Sequence, residues 1–517
     1  MRIAAVHFPE LRVEVLRASM PTLVGRPVAI VVAPAPLTEQ KLLGNTRIDV
    51  ISREAYRLGV REGSTIAQAR ARASDLAVRV VRPDAVRDVL ARLAEIALAF
   101  GATVAFAMDE PSPDSFGDVV WVDVTGCAHL HGPTQSEGES TMASRLVHVM
   151  STLGHRCSVA IAEGPRIAAI LARAISRSSS AENAFVVPPG ENAGAIAPLP
   201  VSALPIGHDD ARWLAKIGVA TIAEMRSLPR AALAKRLGER AGLLLGLAEG
   251  DDRAPLTPHV PPEIPEESVT LEYGVEGQEA LLFVTKTLTD RIAARLAGRA
   301  VATTRLELRL GLDAALTTEE PRASITMDLP AALSSASDLL AALKPKIERL
   351  VLTAPVLSAK LSTPVLVRKP QAALSLFEAE PKADRALPRL VAELAADLGD
   401  EAVGKLALGD AWVPEERSRF VRLSAQHELP LRKKKRRHLV SSVPEPNRFL
   451  AEPLPVLRKD LEIVRHLARL ERVDWWRMLP GTVDHGADFV MATLDDGMAL
   501  VEIDRTNGAA RVRGWFD

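Results

Sequence analysis

Three potential metal ligands recur at alternate positions in Cys127-Ala-His129-Leu-His131. On an extended strand that spacing puts all three on one face, but a structural zinc needs a fourth ligand and none is near, so no metal is expected. A run of contiguous cations, Arg432, Lys433, Lys434, Lys435, Arg436 and Arg437, fits a solvated linker and equally a phosphate contact of salt-sensitive affinity. Trp475 and Trp476 either complete a small core or offer a partner the large rings that dominate protein interfaces. Gln371 followed by Leu374, Ser375, Leu376 and Phe377 makes a short apolar peptide in a Pro-flanked linker.

The elements that must carry these groups fill a chain of 517 residues, too long for one hydrophobic core. The 47% hydrophobic and 25% charged residues are those of soluble globular protein. A formal charge of −1 excludes a globally basic nucleic-acid binder, so DNA contact falls to local patches or a tethering partner. Two cysteines exclude a disulfide framework and point to a reducing, cytoplasmic setting. The N-terminal apolar run is broken by His7, Pro9 and Glu10, and no apolar run of about 18–20 residues occurs, so neither signal peptide nor membrane anchor is expected.

Periodicity predicts strands at 2–8, 27–32, 103–108, 118–124 and 159–162, interleaved with helices at 52–59, 64–73, 84–100 and 166–175. From Leu204 short helices joined by Gly-bearing turns suggest a helix–hairpin–helix unit, with Pro205, Ile206 and Gly207 in its hairpin facing a DNA phosphate; a plain helical pair fits the spacing as well. After a Pro-rich spacer, residues 268–363 read as β-α-β-β-α-β. A helical stretch is expected at 385–398, and a small β unit with Asp-Gly and Asn-Gly turns at 474–517.

Taken in order, these pieces resemble the Y-family DNA polymerases over roughly residues 1–365. The local matches are EAYRLGVREG (54–63), MDE followed by VDVTG (108–110 and 122–126), VAIAEGPRIAAILAR (159–173) and LAKIGVATIAEM. The resemblance implies an α+β multidomain right hand. Its parts are a palm (1–22 and 80–195), fingers (23–79), a helix–hairpin–helix thumb (196–262) and a βαββαβ little finger (266–368). Beyond them come a linker (369–382), a helical segment (383–428), a basic linker (429–448) and a C-terminal β unit for partner interaction (449–517).

Such enzymes hold two magnesium ions on carboxylates from two palm strands. Here the resemblance places the remnant pair Asp109 and Glu110 on one side, while the other strand ends in His7-Phe8-Pro9 instead of Asp-x-Asp. The fingers positions that would contact triphosphate fall on Arg53 and Tyr56, in swapped order. The Asn-Lys pair of the later palm helix falls on Gly164 and Pro165, and the sugar-screening aromatic near Leu11 or Arg12. The pattern is similar to ImuB-type proteins, non-catalytic Y-family relatives of bacterial mutagenesis cassettes. That resemblance implies an adapter with no cofactor, acting with an error-prone DnaE-type polymerase, an ImuA-like RecA relative and the sliding clamp. It also implies weak DNA binding and a cytoplasmic place, on the nucleoid when engaged. The peptide at 371–377 resembles a clamp-binding motif with Ala373 in its Gln position. The alternative is an active polymerase in which Asp109, Glu110 and a carboxylate such as Glu10 bind magnesium. A repair factor using only its helix–hairpin–helix would leave the clamp-like peptide unexplained.

Overall fold

The computed structural model describes residues 1–34, 38–106, 118–177, 183–316, 320–369, most of 390–408, 418–422, most of 444–470 and 486–516. They form two compact units, Met1–Asp397 and Leu398–Asp517.

The first unit begins with β1 (Arg2–His7), apolar on both faces because both are covered. Ala4 and Val6 enter one core while Ile3 and Ala5 enter another, as the two-residue period of a strand requires. After α1 (Leu11–Ser19) comes the fingers insertion: β2 (Val28–Val32), β3 (Val50–Ile51), α2 (Arg53–Arg57), α3 (Ile66–Arg72) and β4 (Ala77–Val81). Its sheet, ordered β3-β2-β4, covers a separate core around Ile48, Val60 and Ile66. Ser52 caps α2, and Thr65 with Gln68 forms a reciprocal capping box on α3.

The palm resumes with α4 (Pro83–Ala97), β5 (Thr103–Phe106), β6 (Val119–Asp123), α5 (Gln135–Thr152), β7 (Ser158–Glu163), α6 (Pro165–Arg177) and β8 (Ala184–Val186). The sheet runs β5-β6-β1-β7-β8, with β1 antiparallel to both neighbours. Leu90 and Leu93 of α4 and Met142 and Leu146 of α5 fill the core of Ala4 and Val6. On the other face α6 shares a core with the thumb helices α7 (Asn192–Ile196), α8 (His208–Lys216), α9 (Ile222–Arg226), α10 (Arg230–Leu237) and α11 (Ala241–Ala248).

The little finger is β9 (Glu266–Val275), α12 (Gln278–Gly298), β10 (Val301–Leu312), β11 (Arg322–Leu333), α13 (Ala336–Glu348) and β12 (Val356–Ser362), the β-α-β-β-α-β order that periodicity predicts. Its sheet runs β11-β10-β12-β9, with β13 (Leu366–Arg368) added on β10. α12 crosses α4 of the palm so closely that a Cβ on Gly298 would collide with the Glu95 carbonyl oxygen. At that crossing Arg295 bridges Glu95 (2.7 Å) and Glu267 (2.9 Å), all three at most 3% exposed. Arg299 adds a second bond to Glu95 at 2.5 Å, and Arg92 a further one to Glu267 at 2.9 Å. The Pro-rich spacer is held as well: the His259 N–H donates to Val104 O of edge strand β5 (2.7 Å), and Arg299 donates to Pro262 O (2.6 Å).

Two expectations change in the second unit. Of the segment 383–428, expected to be helical, the described residues between 390 and 398 are helical, but the part in the second unit contains an antiparallel pair, β14 (Gly404–Leu408) and β15 (Ser418–Arg422). The C-terminal β unit starts with Arg448 and has five strands: β16 (Arg448–Val456), β17 (Glu462–Leu470), β18 (Ala487–Leu494), β19 (Gly497–Asp504) and β20 (Ala510–Trp515). They pair in the order β16-β20-β19-β18-β17 around Val490, Val501 and Val512. β16 and β17 lack a simple apolar alternation because residues 462–466 of β17 are exposed and β16 is irregular between Phe449 and Leu454.

Candidate functional site

His7 ends β1, paired across to Val119 of β6 and Ser158 of β7. The residue is partly buried; its Nδ1 is inaccessible and has no hydrogen-bond partner among the described residues. Burial, reinforced by the nearby Arg173 and Arg177 guanidinium groups, lowers its pKa to about 3. The imidazole is therefore neutral near pH 7, and any cation placed beside it would meet like charge. Magnesium takes hard oxygen ligands, so this strand end cannot supply the carboxylate that a two-metal centre requires.

The neighbouring carboxylates are already engaged. The Glu10 Oε1 accepts from Arg156 (3.0 Å) and from Arg53. Burial raises the Glu10 pKa, with Arg53 opposing and Glu14 and Glu54 reinforcing. Arg53, expected by resemblance at a triphosphate, is thus tied to the palm, and Tyr56 lies exposed with Arg61 over its ring at 4.2 Å. Leu11 is buried, while Arg12 pairs with Asp118 at 2.8 Å. Pro9, half-buried, sits between β1 and α1.

Sequence reasoning missed Asp118, Arg173, Arg177 and Glu62. The Asp118 carbonyl accepts the Phe8 N–H (2.9 Å), one step from His7. Burial raises the Asp118 pKa against the pull of Arg12 and Arg173, and raises that of Glu62 in the fingers against Arg177 and Arg12. The available signal was Arg173 and Arg177 at i,i+4 on the last turns of α6, one helix face. Among the described residues the strand end thus gathers a neutral imidazole, the Arg173 and Arg177 guanidinium groups and the Asp118 carboxylate, which is paired with Arg12.

Gly164 and Pro165 do not belong to this pocket. The register pairs His7 with the first residue of β7 and Arg2 with the last, so Gly164 lies at the opposite end of the sheet. There it packs on Asp252, whose carboxylate accepts the Arg166 N–H. Pro205 and Ile206 are buried and Gly207 caps α8, whose first turn carries Asp209 and Asp210; a phosphate approaching this hairpin meets two carboxylates. Cys127, His129 and His131 lie around a 3-10 turn, Ala128–Leu130, rather than on a strand, so they do not share a face. His129 bonds to Gly126 O (2.7 Å) and His131 stacks on Phe100. Among the described residues no group of potential metal ligands converges. Asp109, Glu110, the peptide at 371–377, the cations at 432–437 and Trp475–Trp476 lie outside the described residues. No helix among the described residues is long and apolar enough to cross a membrane.

Comparison with known proteins agrees with this reading of the first unit. Residues 6–173 match the impB/mucB/samB family. Protein ImuB of Caulobacter vibrioides is 34% identical over 200 residues, 39% of this chain and 40% of that one. DNA polymerase IV of Moorella thermoacetica is 29% identical over 239 residues, 45% of this chain and 56% of that one. DNA polymerase IV of Clostridium kluyveri is 28% identical over 178 residues, 34% of this chain and 42% of that one. The matches thus span 40% to 56% of these relatives' lengths. Among solved structures, an insertion ternary complex of Dbh DNA polymerase has a TM-score of 0.40 at 16% identity, covering 71% of this chain and 99% of that one. DinB from Sulfolobus solfataricus gives the same figures. Residues 6–173 thus match the impB/mucB/samB family, and the chain is similar to ImuB and to DNA polymerase IV proteins over part of their length.

Proposed function

We propose that this chain is a non-catalytic adapter of translesion DNA synthesis, bringing an error-prone DnaE-type polymerase and an ImuA-like partner to the sliding clamp at damaged DNA. The observation that carries the reading is His7, a neutral imidazole at the strand end where a polymerase needs a carboxylate. Glu10, the nearest replacement, is committed to Arg53 and Arg156. The apolar peptide with Leu376 and Phe377 is the proposed clamp anchor, Trp475 and Trp476 the proposed partner contact, and Arg432–Arg437 the weak DNA contact.

Primer extension with purified full-length protein, in magnesium or manganese, tests the reading. No template-directed addition is expected from the protein or from His7→Asp, because Arg173 and Arg177 still crowd that strand end. Extension abolished by Asp109→Ala would instead establish the active-polymerase alternative. In the same preparation, Leu376→Ala with Phe377→Ala should weaken clamp binding roughly a hundredfold, since each buried side chain is worth about 1.5–3 kcal/mol before ordering costs. Unchanged clamp affinity would place the anchor elsewhere.

A further inference from the structure

The seam between palm and little finger contains more positive than negative charge. Arg92, Arg291, Arg295 and Arg299 meet there, against the carboxylates of Glu95 and Glu267. Arg295 and Arg299 take Glu95, and Arg92 shares Glu267 with Arg295. Arg291 is left with no ion pair or hydrogen bond among the described residues, although it is half-buried. Burial holds its guanidinium below the usual value, with Glu267 opposing and Arg92 reinforcing.

Arg291 lines a half-open cavity of about 260 Å³ bordered by α1, α4 and the 153–155 turn of the palm and by β9 and α12 of the little finger. Val15, Val89, Leu93, Ile96 and Leu153 give it an apolar wall. That volume lies below the roughly 300–1,000 Å³ typical of small-molecule sites and suits one or two side chains. An unpaired guanidinium facing such a space is poorly solvated until an anion arrives.

We propose that this cavity is a docking site for a protein segment carrying an apolar side chain next to an acidic one, the carboxylate seated on Arg291. Charge complementarity and size select that occupant. A nucleic-acid backbone is disfavoured because Glu14, Asp88 and Glu267 also line the cavity and Arg291 is its one unpaired cation among the described residues: a single carboxylate can reach Arg291 while a run of phosphates cannot avoid the acidic rim, and the apolar wall suits an apolar side chain. The inference rests on the adapter reading only in taking a protein as the occupant.

The test uses the full chain, titrated with a capped leucyl-glutamate dipeptide, its leucyl-glutamine analogue and a short single-stranded oligonucleotide, followed by saturation-transfer NMR. The glutamate dipeptide should bind, and both the glutamine analogue and the Arg291→Met protein should weaken binding about tenfold or more. Arg291→Met should also raise the melting temperature by about 2 °C, since it removes an unpaired, half-buried charge. Absent dipeptide binding, binding indifferent to Arg291→Met, or displacement of the dipeptide by the oligonucleotide would overturn the proposal. So would a lower melting temperature, which would make Arg291 a structural partner. Primer extension by the Arg291→Met protein is read separately: activity there defeats the adapter reading and leaves the docking result standing.

Discussion

Two sets of ionisable groups at the palm are built in opposite ways. At the seam with the little finger, Glu95, Glu267 and Arg295 are nearly inaccessible and each charge has an opposite charge within 2.9 Å. Burial pulls the Arg295 guanidinium down, but its bonds to Glu95 and Glu267 more than offset this and leave its pKa raised. At the end of β1, His7 is only partly buried, but its Nδ1 is inaccessible and has no partner among the described residues, so it escapes the cost of desolvating a charge by staying neutral. The first arrangement joins palm and little finger through paired charges; the second leaves a neutral imidazole at a strand end.

The comparison breaks most readily at the seam. Glu95→Ala removes the carboxylate shared by Arg295 and Arg299 and leaves buried positive charge without an equal opposite, which should cost about 3–5 kcal/mol. Combining it with Arg295→Met should recover part of that loss, because the stranded guanidinium goes too. Urea unfolding of the single and double variants measures both. A Glu95→Ala cost below about 1 kcal/mol would mean that water solvates this seam as it does a surface pair, and the two regions would not differ in kind.

Much of the hand was legible because its signals are local. β1 alternates between two cores, and the little finger shows its β-α-β-β-α-β order through apolar period alone. α5 escaped notice because the buried face of its first half is Gly138 and Glu139, and a recognisable stripe starts only at Met142. Gly138 packs against the Ala128 carbonyl and Glu139 pairs with Arg2, contacts visible only once the chain is folded. The seam is illegible for the same reason: Glu95 and Arg295 read as ordinary charges on amphipathic helices 200 residues apart. At the site, the replacement of a carboxylate by His7 could be read from sequence by resemblance. That Arg173, Arg177 and Asp118 surround it could not, because α6 and the start of β6 reach His7 only through sheet register. The misassigned pocket role of Gly164 has that cause too: adjacency in a motif said nothing about which end of β7 it occupies.

The smallest and sharpest test concerns His7 alone. Its folded pKa of about 3 lies below the unfolded value of 6.5, so the native state refuses a proton that the unfolded chain accepts. The sign follows: this contribution to stability is complete above the unfolded pKa, declines as pH falls below 6.5, and stops declining near 3. One pH unit in that window is worth about 1.4 kcal/mol, so the group should remove roughly 2 kcal/mol between pH 7 and pH 5. His7→Leu retains an apolar side chain of similar reach and deletes the titrating group. At pH 7 the variant should be at least as stable as the parent, because an unsatisfied buried nitrogen is gone. At pH 5 it should exceed the parent by roughly those 2 kcal/mol, read from urea midpoints at the two pH values. Parallel pH profiles would show that His7 finds a proton acceptor in the folded protein. The end of β1 would then be a satisfied cluster like the seam.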